Sequence, residues 1–303
     1  IGGIIDGCPS GVKIDIDFVQ QQLDKRKPGQ SKITTQRREN DNVKFLSGIF
    51  KGLTTGAPIA FLLSNEDTKS KDYSHLSNSF RPSHADFTYQ KKYGFRDYNG
   101  GGRSSARETA NWVVAGAIAQ LVLNEINVDV SAYVSAVGEI KMNKSYKDLD
   151  LSATNTNIVR CPDEEYAMKM ILEIEKIKKE GDSIGGEITV IAKGVPVGLG
   201  SPVFDKLHSN IGKAMLSINA VHGFKYGFHG VNISSSKGSQ VNDIFADKHG
   251  VTKTNYSGGI QGGISNGNDI YCEVFFKPVS TIMKSQQSIN EDGETVEIKG
   301  KGR

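Results

Sequence analysis

Apolar positions along the chain fall into a few periodic runs separated by long polar stretches. From Asp15, the residues Ile16, Val19 and Leu23 recur at helical spacing, and the pattern ends near Arg26, before Pro28, which predicts a helix. Residues 43–50 (VKFLSGIF) and 57–63 (APIAFLL) read as two strands of an antiparallel hairpin, with a turn around Gly52 and Thr55. The run 64–103 that follows is polar and has little periodicity. At roughly 40 residues it is far longer than an ordinary connection, and its His, Arg, Tyr, Asp and Gly content predicts a long functional loop.

Ser105 and Glu108 have the spacing of a capping box, and residues 108–126 (ETANWVVAGAIAQLVLNEI) show almost no polar face, so a core helix is predicted there. Further on, 128–142 is strand-like and about 164–180 reads as an exposed helix stopped by Gly181. GEITVIAKG (186–194) reads as a strand, and about 203–221 as a second well-covered helix. Each of the two core helices leads into a strand, without any residue-level repeat. The last third alternates glycine-rich loop and strand in SGGIQGGISNGN, DIYCEVFFKP and ETVEIKGKGR. This mixture predicts an α+β fold with mainly antiparallel sheet.

With 303 residues, 37% of them hydrophobic, the chain can bury a large core as one big domain or two ordinary ones. No window approaches the roughly 18 to 20 apolar residues that span a bilayer, and the start lacks the zones of a signal peptide, so no membrane partner and a cytoplasmic location are expected. Cys8, Cys161 and Cys272 are widely spaced and odd in number. They read as buried thiols, and neither a disulfide framework nor a metal centre is expected. A net charge of +3 is too small to imply nucleic acid. Yet Lys25, Arg26, Lys27, Lys32, Arg37 and Arg38 lie in a segment without an acid, which favours an anionic small molecule or a polyanion.

Four stretches carry candidate chemistry. In YNGGGRSSARETA three glycines allow close backbone approach, Arg103 and Arg107 supply charge, and Ser104 and Ser105 stand at a helix start, where free N–H groups bind phosphate. His84, in FRPSHADFTY with Arg81 and Asp86 close by, has the side chain best suited to proton transfer near neutral pH. SGGIQGGISNG permits positive φ and close packing of backbone on a flat ring, and KPVST (277–281) places a cation and two hydroxyls just after a strand. Histidines 75, 208, 222, 229 and 249 show neither metal-ligand spacing nor a glycine-rich frame, and no role is assigned to them.

TTQRREND, TTGAPIA, SKDYS, FRPSHADFTYQKKYGFRDYNGGGRSSARETA, KKEGDSIGG, GVPVGLGSPVFDKL, SINAV, GSQVND, SGGIQGGISNG and FFKPVSTI resemble segments of the chorismate synthases in order and spacing. The likeness runs over nearly the whole chain, with GGRSSARETANWVVAGAI and SGGIQGGISNG its most distinctive parts. It implies a single domain over residues 1–303, built as a helical layer sandwiched between two mainly antiparallel β-sheets and assembled as a homotetramer. It also implies an anti-1,4 elimination of phosphate from 5-enolpyruvylshikimate 3-phosphate to give chorismate, the last step of the shikimate pathway. Reduced FMN is needed without net redox change, and its electrons come from NADPH or from a separate reductase.

Carried over by position, the resemblance implies that Arg103, Ser104, Ser105, Asn219, Ala220, Gly262, Lys277, Pro278, Val279, Ser280, Thr281 and Arg303 contact the flavin. Arg26, Lys32 and Arg107 line the anionic substrate site, and His84 protonates or hydrogen-bonds the reduced flavin. On this reading Arg107→Ala leaves the fold intact while raising the substrate requirement. Lys32 stands where many members carry arginine, and GFHGVNISSSKG is looser than the family pattern. A GESHG motif with a second histidine is expected ahead of Ile1 and an HDP-containing segment after Arg303, so the domain is expected to be incomplete at both termini. The residues by themselves leave a second reading open: a polyanion binder using 25–38 and 91–107, with Tyr89, Tyr93 and Tyr98 as stacking platforms.

Overall fold

The computed structural model describes residues 1–34, 39–65, 76–98 and 104–300. In chain order its main elements begin with β1 (Gly2–Ile5), α1 (Ile16–Arg26), β2 (Val43–Phe45), β3 (Ile49–Phe50), β4 (Leu53–Thr54) and β5 (Ile59–Leu63). Next come α2 (Asp86–Tyr93), α3 (Thr109–Asn124), β6 (Asp129–Val137), β7 (Ile140–Lys141), α4 (Glu164–Lys179) and β8 (Gly186–Lys193). The series closes with α5 (Leu207–Leu216), β9 (Val221–Tyr226), β10 (Ile260–Gln261), β11 (Ile264–Ser265), β12 (Ile270–Phe276), β13 (Gln286–Ile289) and β14 (Thr295–Ile298). The named strands all pair antiparallel, so the α+β class read from the sequence holds. Two units are distinguished: Ile1–Leu123 with Ile177–Ser183 and Val279–Arg303, and Asn124–Lys176 with Ile184–Pro278.

In the first unit α1 forms as its spacing predicts. Asp15 caps it by accepting from the Phe18 N–H at 3.0 Å, and Val19 and Leu23 are fully buried. These residues pack with Ile59, Phe61 and Leu63 of β5 and with Ala110, Val114, Ala117 and Ile118 of α3. The helix predicted at 108–126 is thus a core helix, burying one stripe at i, i+4, i+7 and i+8 while Trp112 on another side is exposed. The predicted hairpin is present in β2 and β5, but the strand expected over 43–50 breaks at Gly48. That glycine has φ 78°, and a Cβ there would lie 2.7 Å from the Ile59 Cα, so the chain bends and β3 and β4 form a small hairpin of their own. Within 64–103, read as one long loop, Asp86–Tyr93 is a helix ended by a left-handed Gly94. Its polar and aromatic sequence carries no apolar stripe that would have revealed it.

The second unit is built on a five-stranded sheet in the order β7-β6-β8-β12-β9. The strand expected over 128–142 folds back at Gly138 into β6 and β7, and the helix expected over 203–221 is only α5, which buries Gly212 alone. Partly buried Ile211 and Met215 place one side of α5 on Val221, Cys272 and Val274. Cys8, Cys161 and Cys272 are free and buried, as expected, and burial pushes the Cys272 thiol up to about 12.

Tyr133, Thr189, Glu273 and Lys225 are direct cross-strand neighbours, a polar row in a sheet interior. Glu273 is 2% exposed; Lys225 Nζ lies 3.2 Å from its Oε2, and His229 Nδ1 lies 3.0 Å from its Oε1. His229, given no role from sequence, is thus a structural partner. Burial opposes ionisation of Glu273, but the His229 hydrogen bond and the Lys225 and Lys141 charges outweigh it and hold the carboxyl below its usual range. A depressed folded pKa means stability that is fully present above the unfolded value of about 4.3 and lost as pH falls from there through the lower folded value. Glu273→Gln is therefore expected to be less stable than wild type at pH 7, with the gap closing below about pH 4. Urea midpoints at three pH values check this, and a gap independent of pH would contradict it.

Candidate active site

His84 sits in a turn whose geometry is set by charge. Asp86, the first residue of α2, is 5% exposed and accepts from the Arg81 backbone N–H at 3.1 Å, from Arg81 Nε at 2.8 Å and from Arg81 Nη2 at 2.8 Å. His84 Nδ1 lies 2.8 Å from Asp86 Oδ1, and Arg96 Nη1 lies 3.8 Å away on the same oxygen. Burial alone would raise the Asp86 pKa, but the hydrogen bonds from Arg81 and His84 prevail and hold the carboxyl far below the usual carboxylate range. Arg96 also donates to the carbonyls of Leu76, Ser77 and Ser79 at 2.7, 2.9 and 3.1 Å, tying the preceding segment down.

Ser83, next to the histidine, has φ 56°, a left-handed conformation uncommon outside glycine. Its carbonyl accepts from the Ser280 hydroxyl at 2.8 Å. Ser280, a predicted flavin contact, therefore stands at the residue before His84, although 197 residues separate it from Ser83 along the chain. A cleft of about 510 Å³ in this unit is lined by Asp86, Tyr89, Tyr93, Arg96 and Ser104, among others.

Arg26 and Arg107, both expected at the substrate site, converge on one acid that the sequence reading overlooked. Arg107 Nη1 is hydrogen-bonded to Asp41 Oδ1, and Arg26 Nη1 lies 3.7 Å from Asp41 Oδ2. Arg107 also reaches Asn65 Oδ1 at 3.3 Å, the Ser64 carbonyl at 3.2 Å and Glu39 Oε2 at 3.8 Å. Arg26 Nη2 donates to the Ala106 carbonyl at 2.8 Å and lies 3.2 Å from Thr109 Oγ1. Arg107 is only 5% exposed, whereas Lys32 is exposed, with its carbonyl taking a 2.6 Å hydrogen bond from Lys178 Nζ. Glu39 and Asp41 lie just past the acid-free cationic segment, so their pairing with Arg107 was not legible from charge clustering.

Ser105 does not close the predicted capping box. Its Oγ accepts from Arg107 N at 3.2 Å, and the chain makes a 3-10 turn over Ala106–Glu108 before α3 begins. In the second unit Ala220 has φ 69° and its carbonyl accepts from the Lys277 N–H at 2.9 Å, so Asn219 and Ala220 lie beside Lys277 and Pro278. Gly262 turns the β10–β11 hairpin at φ 62°, and an added Cβ there would meet nothing within 4 Å. Val279 is exposed, its carbonyl held by the Ser183 hydroxyl at 2.7 Å, and Thr281 is exposed as well. Arg37, Arg38, Gly100 to Gly102, Arg103, His75 and Arg303 lie outside the described residues.

Fold and side chains together define a class: an α+β protein of antiparallel sheets, with an imidazole held by a carboxylate and clustered guanidinium groups, a set suited to proton transfer beside anionic ligands. The family model described as chorismate synthase matches residues 1–303, and the chain belongs to that family. It is 58% identical to the chorismate synthase of Cytophaga hutchinsonii over 100% of this chain and 85% of that protein. Identity to the enzyme of Christiangramia forsetii is also 58%, over 100% of this chain and 84% of that protein. Bacteroides thetaiotaomicron has a chorismate synthase 54% identical over 100% and 85% of the respective lengths. A solved structure titled as a crystal structure of chorismate synthase superimposes with a TM-score of 0.76 at 27% identity, covering 91% of this chain and 80% of that one.

Proposed function

We propose that residues 1–303 operate as one catalytic domain of a chorismate synthase, a lyase that eliminates phosphate from 5-enolpyruvylshikimate 3-phosphate, with reduced FMN as cofactor. The observation that carries the reading is the family match over residues 1–303. It favours the enzyme over the polyanion binder, whose basic segment is in part neutralised because Arg26 and Arg107 face Asp41 and Glu39. The helical layer between two sheets, the homotetramer, NADPH as an electron source and a cytoplasmic location belong to the same proposal.

The described residues fit a flavin. Gly262 leaves open space where a side chain would otherwise stand, and Ala220 holds a left-handed backbone beside Lys277 without a glycine. Ser104 and aromatic side chains line a cleft of a size that ordinary small ligands fill. Ser104, Ser105, Asn219, Ala220, Gly262 and Lys277 to Thr281 would hold the cofactor, together with Arg103 and Arg303. When bound and reduced, it supplies the electron-rich ring that assists departure of phosphate. His84 places or withholds a proton at its own ring nitrogen. Arg26, Lys32 and Arg107 line the site for the substrate's carboxylates and phosphate, with Arg107 also paired to Asp41.

Chorismate is expected to form, seen by its absorbance, when the protein is assayed anaerobically with photoreduced FMN and the enolpyruvyl substrate. Because the flavin ring lies under the substrate in a shared basic pocket on this reading, and each ligand helps order the other's loops, flavin is expected to bind several-fold more tightly with substrate present. Equal flavin affinity with and without substrate, measured by fluorescence quenching, would count against a shared site.

A further inference from the structure

We propose that Asp86 is the positioning residue for His84, fixing the neutral imidazole as the Nδ1–H tautomer and leaving Nε2 as the nitrogen that exchanges a proton or hydrogen bond with bound ligand. The inference rests on the proposed role of His84 and adds to it which nitrogen acts and what holds it.

The argument is one of donors and acceptors. Nδ1 of His84 has two polar neighbours, Asp86 Oδ1 at 2.8 Å and Arg81 Nη2 at 3.1 Å. A guanidinium only donates and a carboxylate only accepts, so the two neighbours ask for opposite tautomers. Three facts decide for the carboxylate. Arg81 commits Nε and one of its two Nη2 hydrogens to Oδ2 and Oδ1 of Asp86, both at 2.8 Å, and its contact to Nδ1, at 3.1 Å, is longer than the one Nδ1 makes to the carboxylate. A bare Nδ1 would set its lone pair against a carboxylate oxygen at 2.8 Å, which is repulsive without an intervening proton. The Asp86 carboxyl is ionised throughout the neutral range, because its pKa is held down despite burial. Among the described residues, no protein group is hydrogen-bonded to Nε2.

The carboxylate is itself held by several partners. It lies at the start of α2, takes the Arg81 backbone N–H at 3.1 Å and has Arg96 at 3.8 Å, while Arg96 is anchored on the carbonyls of Leu76, Ser77 and Ser79. The ring is thus held from one side through a buried chain of charges, and the Ser280 hydroxyl on the Ser83 carbonyl holds the backbone from the other. This places His84 before any ligand arrives, the arrangement in which a second group sets the tautomer of a working imidazole.

The test combines kinetics and ring nitrogen NMR on the full chain, with photoreduced FMN and 5-enolpyruvylshikimate 3-phosphate. Asp86→Asn is expected to lower kcat about 10- to 100-fold with KM changed little, since the amide keeps the shape but loses the charge-assisted grip on Nδ1–H. Introduced into His84→Ala, the same substitution is expected to have no further effect on kcat, because Asp86 acts through the ring. Asp86→Glu is expected to recover part of the loss. In nitrogen-15 spectra, with His84 assigned by its absence in His84→Ala, the wild-type ring should be protonated at Nδ1 and bare at Nε2. A wild-type ring protonated at Nε2 overturns the proposal even if every Asp86 variant fails to fold. An Asp86→Asn effect that is equally large with and without His84 overturns it too. If His84→Ala alone retains full turnover, the proposed role of His84 is lost, while the tautomer spectrum still reports separately on what Asp86 does to the ring.

Discussion

His84→Ala is expected to bind FMN and substrate nearly normally and to turn over about 10² to 10⁴ times more slowly, the usual range for losing an acid–base group. The side chain is 19% exposed, packed beside Asp86 and Arg81 and tethered, among the described residues, at Nδ1 alone, so it is not a core residue whose removal collapses the turn. The Arg81–Asp86 pairing and the Ser280 contact to Ser83 both survive its truncation, and these carry the local fold. Binding and chemistry should therefore separate. An imidazole serving only as packing would give the reverse, a lower melting temperature with near-normal turnover per folded molecule. Measuring both on one preparation decides, and wild-type turnover at saturating substrate would remove His84 from the chemistry.

Arg107→Ala is expected to destabilise the first unit by about 3–5 kcal/mol, the usual effect of removing one member of a buried ion pair. The sequence reading had this substitution leave the fold intact. Burial reverses that expectation, because the Asp41 side chain is 0% exposed and Arg107 is its hydrogen-bonded cation, with Arg26 no nearer than 3.7 Å. Without Arg107, the buried carboxyl of Asp41 is left with little compensation. Asp41→Asn in the Arg107→Ala background is expected to recover part of the loss, since it removes the stranded charge. Chemical denaturation of the single and double variants measures both effects. A loss below about 1 kcal/mol in the single variant would show that Asp41 is served by other partners.

The family was legible because its glycine, arginine and histidine motifs are local strings, and a local string survives without knowledge of the fold. Helix α1 was legible for a similar reason: Ile16, Val19 and Leu23 repeat on one face, and Asp15 and Pro28 bracket them. The strand at 43–50 was not, because its break depends on how closely the backbone of Gly48 approaches Ile59, a residue beyond the turn. Ser105 stands at a helix start as read, but its hydroxyl oxygen accepts from the Arg107 N–H and not from that of Glu108, so the capping spacing marks a 3-10 turn ahead of α3.

Charge divides in the same way. Sequence alone shows where cations cluster and that a histidine stands near Arg81 and Asp86, since both are properties of neighbours in the chain. Only the tertiary structure shows which cations are already answered. Arg107 meets Asp41 across 66 residues, and Ser280 reaches Ser83 across 197. A side chain's charge is written in the sequence, but the energy of that charge depends on burial and on the nearest opposite charge, and both are set by contacts between distant segments. The sequence by itself therefore determined the family and the residue types of its chemistry. Folding decided that Asp86 grips His84 and that Asp41 holds Arg107, because hydrogen bonds of about 3 Å follow distance in space and not separation along the chain.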